Sequence, residues 1–172
     1  MQTALPASLR LFLALWPAPA LLDEVLAHAA AWTWPARARC TRPERLHLTL
    51  HFLGNVPAER VPELRSALTV QWAGCELALD RACVWSGGIA VLEATQVPAE
   101  LARLHAALAE RLHAMEIPVE ERPYRPHVTL ARKAQGAAPP AFAPLRWTAD
   151  PRYALVRSIG GGGGYETLQC FG

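Results

Sequence analysis

Apolar positions along this chain recur with two periods, and the switches between them mark its elements. Residues 10–16 are an almost unbroken apolar run, cut off by Pro17 and Pro19, and they predict a buried strand. Over 20–32, Leu22, Val25, Leu26 and Ala29 repeat at helical spacing. Residues 46–53 return to a strand pattern that stops at Gly54-Asn55. The spacing then predicts a helix over 58–70, with Val61, Leu64 and Leu68 inward and Pro62 tolerated near its start. Segments 76–85 and 89–93 read as strands around a Ser86-Gly87-Gly88 turn. The clearest amphipathic stripe is Leu101, Leu104, Leu108 and Leu112, a helix over 99–115.

Three prolines make 118–126 a loop, and 127–132 is a further strand. Residues 135–144 read as an Ala/Pro/Gly linker, 153–159 and 165–171 as closing strands, and 160–164 as five consecutive glycines. Strand–helix–strand units without a dinucleotide glycine fingerprint give α+β as the expected class. A chain of 172 residues suits one bilobal domain over 1–172.

Composition narrows the picture. At 52% hydrophobic and 19% charged residues the chain is globular rather than disordered. The early apolar run is too short to span a bilayer, and no leader-type cleavage site accompanies it, so a cytoplasmic protein without a membrane partner is expected. A net charge of +2 argues against broad duplex binding. Sixteen of the seventeen basic residues are arginine, the residue suited to bidentate phosphate contacts, although general arginine richness also accounts for this. Cys40, Cys75, Cys83 and Cys170 form no closely spaced pair, so they are expected reduced and mostly packed, with no structural metal.

A repeat carries the chemistry. Leu46-His47-Leu48-Thr49-Leu50 returns as Pro126-His127-Val128-Thr129-Leu130. In a strand, residues i and i+2 share a face, so His47 projects with Thr49 and His127 with Thr129, while Leu48, Leu50, Val128 and Leu130 enter the core. Two lobes facing each other would bring both pairs to one cleft. There, one neutral imidazole serves as base and one protonated imidazole as acid, with the threonine hydroxyls donating to phosphate oxygens. The motifs alone leave open which histidine takes which role. Burying four such polar groups in strands is costly unless they are partnered or line a wet cleft.

Arg10-Leu11-Phe12, the segment from Leu46 to Gly54, and the segment from Arg125 to Arg132 together resemble the bacterial and archaeal RNA 2′,3′-cyclic phosphodiesterases. These are also called 2′-5′ RNA ligases and belong to the two-histidine phosphoesterase superfamily. The resemblance runs over about residues 9–133. It implies a bilobal fold, with two mainly antiparallel sheets facing a central groove and helices outside. It also implies metal-independent, cofactor-free hydrolysis of RNA terminal 2′,3′-cyclic phosphate to 2′-phosphate, with 2′-5′ joining as the reverse. His127 would be the proton acceptor, His47 the proton donor, and Thr49 and Thr129 the phosphate holders.

Arg132 would be a phosphate contact, although strict alternation puts it on the face opposite His127 unless the strand bulges. Phe12 would stack on a base, or pack in the core. His51 shares the His47 face by alternation. His28, His105 and His113 fall in predicted helices, at the surface or helix edge. The 160–164 run departs from the family pattern, as a groove edge or a solvent loop. The expected partner is an RNA end, or a small nucleotide, carrying a 2′,3′-cyclic phosphate, bound by a monomer without an obligate protein partner. The alternatives are a phosphodiesterase for other cyclic or 2′-5′-linked nucleotides and a non-catalytic RNA-end binder. A metal hydrolase is disfavoured because no carboxylate cluster accompanies the histidines.

Overall fold

The structure is a computed structural model that describes residues 7–172. The leader reading falls partly on the residues before these and so lies outside the described part. Along β1 (Ser8–Leu15), Leu9, Leu11, Leu13 and Leu15 enter the main core, while Phe12 and Ala14 join Ala154 and Val156 on the other face. That two-sided burial explains why the segment reads as an apolar run rather than an alternation.

β1 lies between β3 (Leu48–Pro57) and β9 (Tyr153–Ile159), and β10 (Gly164–Phe171) pairs outside β9; all these pairings are antiparallel. A second antiparallel group is built on β7 (His127–Arg132). One edge of β7 takes β6 (Ile89–Glu93), which pairs with β5 (Arg81–Trp85), and the other edge takes β2 (Arg39–Cys40). The two groups meet at one residue pair, Leu48 opposite Val128, and diverge from there. This divergence creates the cleft between two antiparallel sheet halves that the family fold implies.

The helices are α1 (Pro19–Ala30), α2 (Val61–Ala67) and α3 (Ala99–Ala114). Leu21 and Val25 of α1 and the Leu101, Leu104, Leu108, Leu112 stripe of α3 join the core made by Leu11 and Leu13, so they cover the sheet face opposite Phe12. Among the described residues no helix is long and apolar enough to cross a membrane.

Four expectations are corrected. The strand over 76–85 is two strands in different sheets: β4 (Cys75–Leu79) pairs with β8 (Leu145–Ala149), and β5 pairs with β6. Asp80 makes the break, its carboxylate accepting from the Thr95 backbone N–H at 2.8 Å and the Thr95 hydroxyl at 2.5 Å. β8 itself follows the expected linker as an alternating strand, with Trp147 and Ala149 buried and Arg146 and Thr148 exposed. The helix over 58–70 is shorter, a 3₁₀ turn over Ala58–Arg60 leading into α2. His28 is buried rather than at an edge, accepting from Trp32 Nε1 at 3.0 Å, which satisfies both groups in an apolar site. All four cysteines are free; Cys40 and Cys170 are exposed rather than packed.

Candidate active site

His47 immediately precedes β3 and His127 opens β7, so the single Leu48–Val128 pair brings the two motifs together where the sheet divides. Each ring is tethered in the same way. Nδ1–H of His47 donates to the Arg45 carbonyl at 2.7 Å, and Nδ1–H of His127 donates to the Arg125 carbonyl at 2.7 Å. With Nδ1 committed to a carbonyl two residues back, each neutral ring carries its free lone pair on Nε2. Thr49 Oγ1 donates to His47 Nε2 at 3.1 Å. Among the described residues His127 Nε2 and Thr129 Oγ1 have no such protein partner.

A bulge follows each motif, at its fourth residue. In β3 the partners of β1 run Ala14–Thr49, Leu13–His51, Phe12–Phe52, skipping Leu50. In β7 the partners of β6 run Val91–Thr129 then Ala90–Ala131, skipping Leu130. The extra residue reverses the alternation, so the pairs Leu50–His51 and Leu130–Ala131 are both buried on the core side. Two site residues change face as a result. Arg132 comes onto the face of His127 and Thr129, and its charge bears on the His127 ring. Phe52 occupies the equivalent place after His47; it is 49% exposed, a large ring open to a ligand on the face of Thr49. Leucine at both bulges gave no sign of this in the sequence.

His51 is the matching correction. The bulge turns it away from His47 to 4% exposure, against α3, where its Nε2–H donates to the His105 carbonyl at 2.8 Å. Phe12 is the other correction. At 4% exposure it has no free face for a base, because its ring stacks on His47 with centroids 4.9 Å apart. It is a wall behind the imidazole, completed by Trp16 at 5.2 Å and Tyr165 at 5.4 Å.

The surroundings of the two rings differ. Burial among aromatics lowers the His47 pKa to about 4, opposed by the Arg45 carbonyl and assisted by the His127 charge. His127 is also lowered, by burial first, but charged groups surround it: Glu93 raises it while Arg125 and Arg132 lower it. Glu93 stands directly across from His127 and is 1% exposed. Its carboxylate accepts from Arg125 at 2.8 Å and from Arg81, which keeps the buried charge paired. Arg125 also lies 4.3 Å over the Trp85 ring, and Trp85 packs 4.4 Å from His127.

The cleft opens into a cavity of about 660 Å³ lined by Thr49, Phe52, Trp85, Arg122, Tyr124 and His127. Its floor explains how the sheet stays divided. Beyond Leu48 the β3 edge has lost its strand partner, and Tyr124 OH donates to the orphaned Thr49 carbonyl at 3.1 Å. His105, expected at a helix edge, stacks between His51 at 4.0 Å and Tyr124 at 3.9 Å. Burial lowers its pKa to about 4 and pushes Tyr124 well above the usual phenol range, so both are neutral wedges. Among the described residues no group of three or more His, Cys, Asp or Glu is arranged to hold a metal ion.

The model of the 2′-5′ RNA ligase superfamily matches residues 23–159, which contain both motifs and both bulges. The chain belongs to that superfamily. It is 36% identical over 139 residues to the RNA 2′,3′-cyclic phosphodiesterase of Escherichia coli K12, covering 77% of this chain and 78% of that protein. It is 37% identical over 131 residues to the Thermus thermophilus protein of the same name, covering 67% and 65% respectively. Its fold superposes on the apo crystal structure of E. coli LigT with a TM-score of 0.83, at 26% identity over 96% of this chain and 98% of that one. LigT complexed with 3′-AMP gives 0.82, at 27% identity over 95% and 97%.

Proposed function

We propose that this cleft hydrolyses the 2′,3′-cyclic phosphate at an RNA end to a 2′-phosphate, with His127 as proton acceptor and His47 as proton donor. The chain is a phosphodiesterase of the RNA 2′,3′-cyclic type, a hydrolase. The observation that carries the mechanistic reading is the doubled tether. Two imidazoles carry the same Nδ1 commitment, and the Leu48–Val128 pair sets them side by side where the sheet divides, an arrangement suited to acid–base catalysis on one phosphorus.

His127 Nε2 takes a proton from water, and the water oxygen attacks phosphorus in line with O3′. The P–O3′ bond breaks, the electron pair leaves with O3′, and His47 Nε2–H protonates it. Arg132, Thr49 and Thr129 donate to the nonbridging oxygens as negative charge builds on them. The division of base and acid follows the family resemblance. Burial lowers both rings, His47 to about 4, and at His127 the Arg125 carbonyl and Glu93 oppose the lowering by burial, Arg125 and Arg132. His47, at about 4 in the empty cleft, becomes an acid when a phosphate anion arrives beside it, because an opposite charge favours the imidazolium.

Phe52 offers the terminal base a stacking face, replacing the role expected of Phe12. The crystallisation of LigT with 3′-AMP supports a nucleotide in such a cleft. Because one chain supplies both motifs, the reading takes it as one bilobal catalytic domain working as a monomer in the cytoplasm. It also takes the chemistry as independent of metal, since acid, base and anion stabilisers are all side chains. The reverse reaction, attack by a 2′ hydroxyl in place of water, is 2′-5′ joining.

The test is a short RNA ending in 2′,3′-cyclic phosphate, incubated with chelator present. Wild type is expected to give a 2′-phosphate, and His47→Ala and His127→Ala each to lose about 10²–10⁴-fold in rate. A folded wild-type protein that leaves the cyclic end intact, or that needs added metal, overturns the reading.

A further inference from the structure

The repeat begins two residues before each histidine. Arg45 stands ahead of His47 as Arg125 stands ahead of His127, so both halves read Arg-x-His-x-Thr. The carbonyl that takes each Nδ1–H belongs to that arginine. Both carbonyls lie outside the strands that follow them. Arg45 ends a three-residue 3₁₀ turn, Pro43–Arg45, and Arg125 lies in the irregular backbone of 118–126. A carbonyl in such a segment turns with its peptide plane unless something else anchors its residue.

The arginine side chains are that anchor. The Arg45 guanidinium lies 5.5 Å over the Tyr165 ring, and its Nη2–H donates to the Gly162 carbonyl at 2.9 Å. The Arg125 guanidinium lies 4.3 Å over the Trp85 ring, and its Nη2–H groups donate to the two Glu93 oxygens at 2.8 and 3.1 Å. The same two aromatic rings touch the same two histidines. Tyr165 meets His47 edge-on with centroids 5.4 Å apart, and Trp85 lies tilted against His127 at 4.4 Å. On each side, imidazole, carbonyl, guanidinium and aromatic ring therefore close a loop of contacts. Each arginine grips its histidine at Nδ1 through the carbonyl and at the ring through the aromatic. Tyr165 stands on β10 and Trp85 on β5, the strands at the two ends of the sheet, so each half builds its loop from a different part of the chain.

We propose that Arg125 and Arg45 are positioning residues, which hold the neutral His127 and His47 rings in the Nδ1–H tautomer. This rests on the reaction read above, in which both rings move protons through Nε2. A base must present its lone pair at Nε2, and the other neutral tautomer puts a proton there. An acid in its imidazolium form carries protons on both nitrogens, so tautomer control matters less to it. Arg125 thus bears on the rate more than Arg45. Glu93 gains a task, since a buried carboxylate opposite His127 is what fixes the Arg125 guanidinium. The glycine run gains one too, because the Gly162 carbonyl holds Arg45.

Nitrogen-15 NMR of the imidazoles, at a pH above both midpoints, reads each tautomer without reference to activity. Wild type is expected to show Nδ1–H at both rings. In Arg125→Met, His127 is expected to populate Nε2–H while His47 stays, and in Arg45→Met the reverse. On cyclic-phosphate RNA, Arg125→Met should lower kcat by up to about 10²-fold, the cost of a group misplaced by about 1 Å, with KM little changed, and Arg45→Met should lower it less. Arg125→Lys keeps the charge beside Glu93 and loses the flat face over Trp85, so it should restore part of the loss. Rings that keep Nδ1–H in both variants overturn the proposal, whatever the rates. So does a variant in which both rings lose it together, because the arginine would then act on the fold rather than on its own histidine. A raised KM at unchanged kcat in Arg125→Met overturns it as well and makes Arg125 a substrate contact. Wild type that leaves the cyclic phosphate intact sinks the reaction assignment, a different failure, and the tautomers still decide the positioning.

Discussion

The two His-x-Thr halves leave the backbone in the same way and enter different surroundings. Both rings are tethered at Nδ1 to the carbonyl two residues back, and both strands bulge at the fourth motif residue. Beyond that the likeness ends. His47 is walled by Phe12, Trp16 and Tyr165, and its pKa falls to about 4 mainly by loss of water. His127 sits among Glu93, Arg125, Arg132 and Trp85, where charges of both signs act on an already buried ring. The same local geometry sets the two imidazoles side by side where the sheet divides, and unlike neighbours act on their proton affinities, a difference that neither motif by itself contains.

The largest effect expected from this contrast comes from a substrate that needs no acid. A 3′-deoxynucleoside 2′-(p-nitrophenyl) phosphodiester loses p-nitrophenolate, which departs without a proton. On it, His47→Ala should recover to within about tenfold of wild type, while His127→Ala keeps its loss of about 10²–10⁴-fold. The opposite pattern would exchange the two roles. Equal losses on both substrates would mean that the contrast in surroundings does not divide the labour.

The residues after the bulges extend the comparison. Arg132 and Phe52 occupy equivalent places in the two halves, one a charge and one a ring. Arg132→Ala removes a donor to the developing negative charge and should lower kcat by about 10²–10³-fold. Phe52→Ala removes a stacking face and should raise KM by roughly tenfold with kcat little changed. Steady-state kinetics on the same cyclic-phosphate RNA separates them. A kcat loss at Phe52 that equals the loss at Arg132 would break the division into a reaction half and a binding half.

How far these positions can be read from sequence depends on where alternation holds. It put His47 beside Thr49 and His127 beside Thr129 because the strands are regular through the third motif residue. It failed one residue later in each half. Bulges at Leu50 and Leu130 carry no glycine or proline to mark them, so alternation places His51 on the cleft face, conflicts with the phosphate contact expected of Arg132, and gives no pointer to Phe52. The strand at Leu145–Ala149 is different: its alternation is present in the sequence, and it begins directly after the proline-bearing 135–144 segment. The break at Asp80 depends on a hydrogen-bond partner fifteen residues away, Thr95, and is invisible locally. Glu93 next to His127 belongs to the same class, because only the β6–β7 register brings them together.

The smallest expected effects test the surroundings directly, through the proton affinity of each ring. NMR titration of the imidazole carbons reads both histidines in one sample. Glu93→Gln removes a negative charge that favours the His127 imidazolium and leaves Arg81 and Arg125 uncompensated, so the His127 midpoint should fall while His47 stays. Trp16→Leu opens the aromatic wall, and water returning to the ring should lift the His47 midpoint from about 4 toward the ordinary 6.5 while His127 stays. The signs have a kinetic counterpart. Where His127 is the base, lowering its pKa keeps it neutral to lower pH, so the acidic limb of kcat/KM should move down in Glu93→Gln. A His47 that remains near 4 in Trp16→Leu would mean that the aromatic wall does not set its affinity. Midpoints that shift together in either variant would mean that the two rings titrate as one coupled pair, and the contrast between the halves would then belong to the pair rather than to its members.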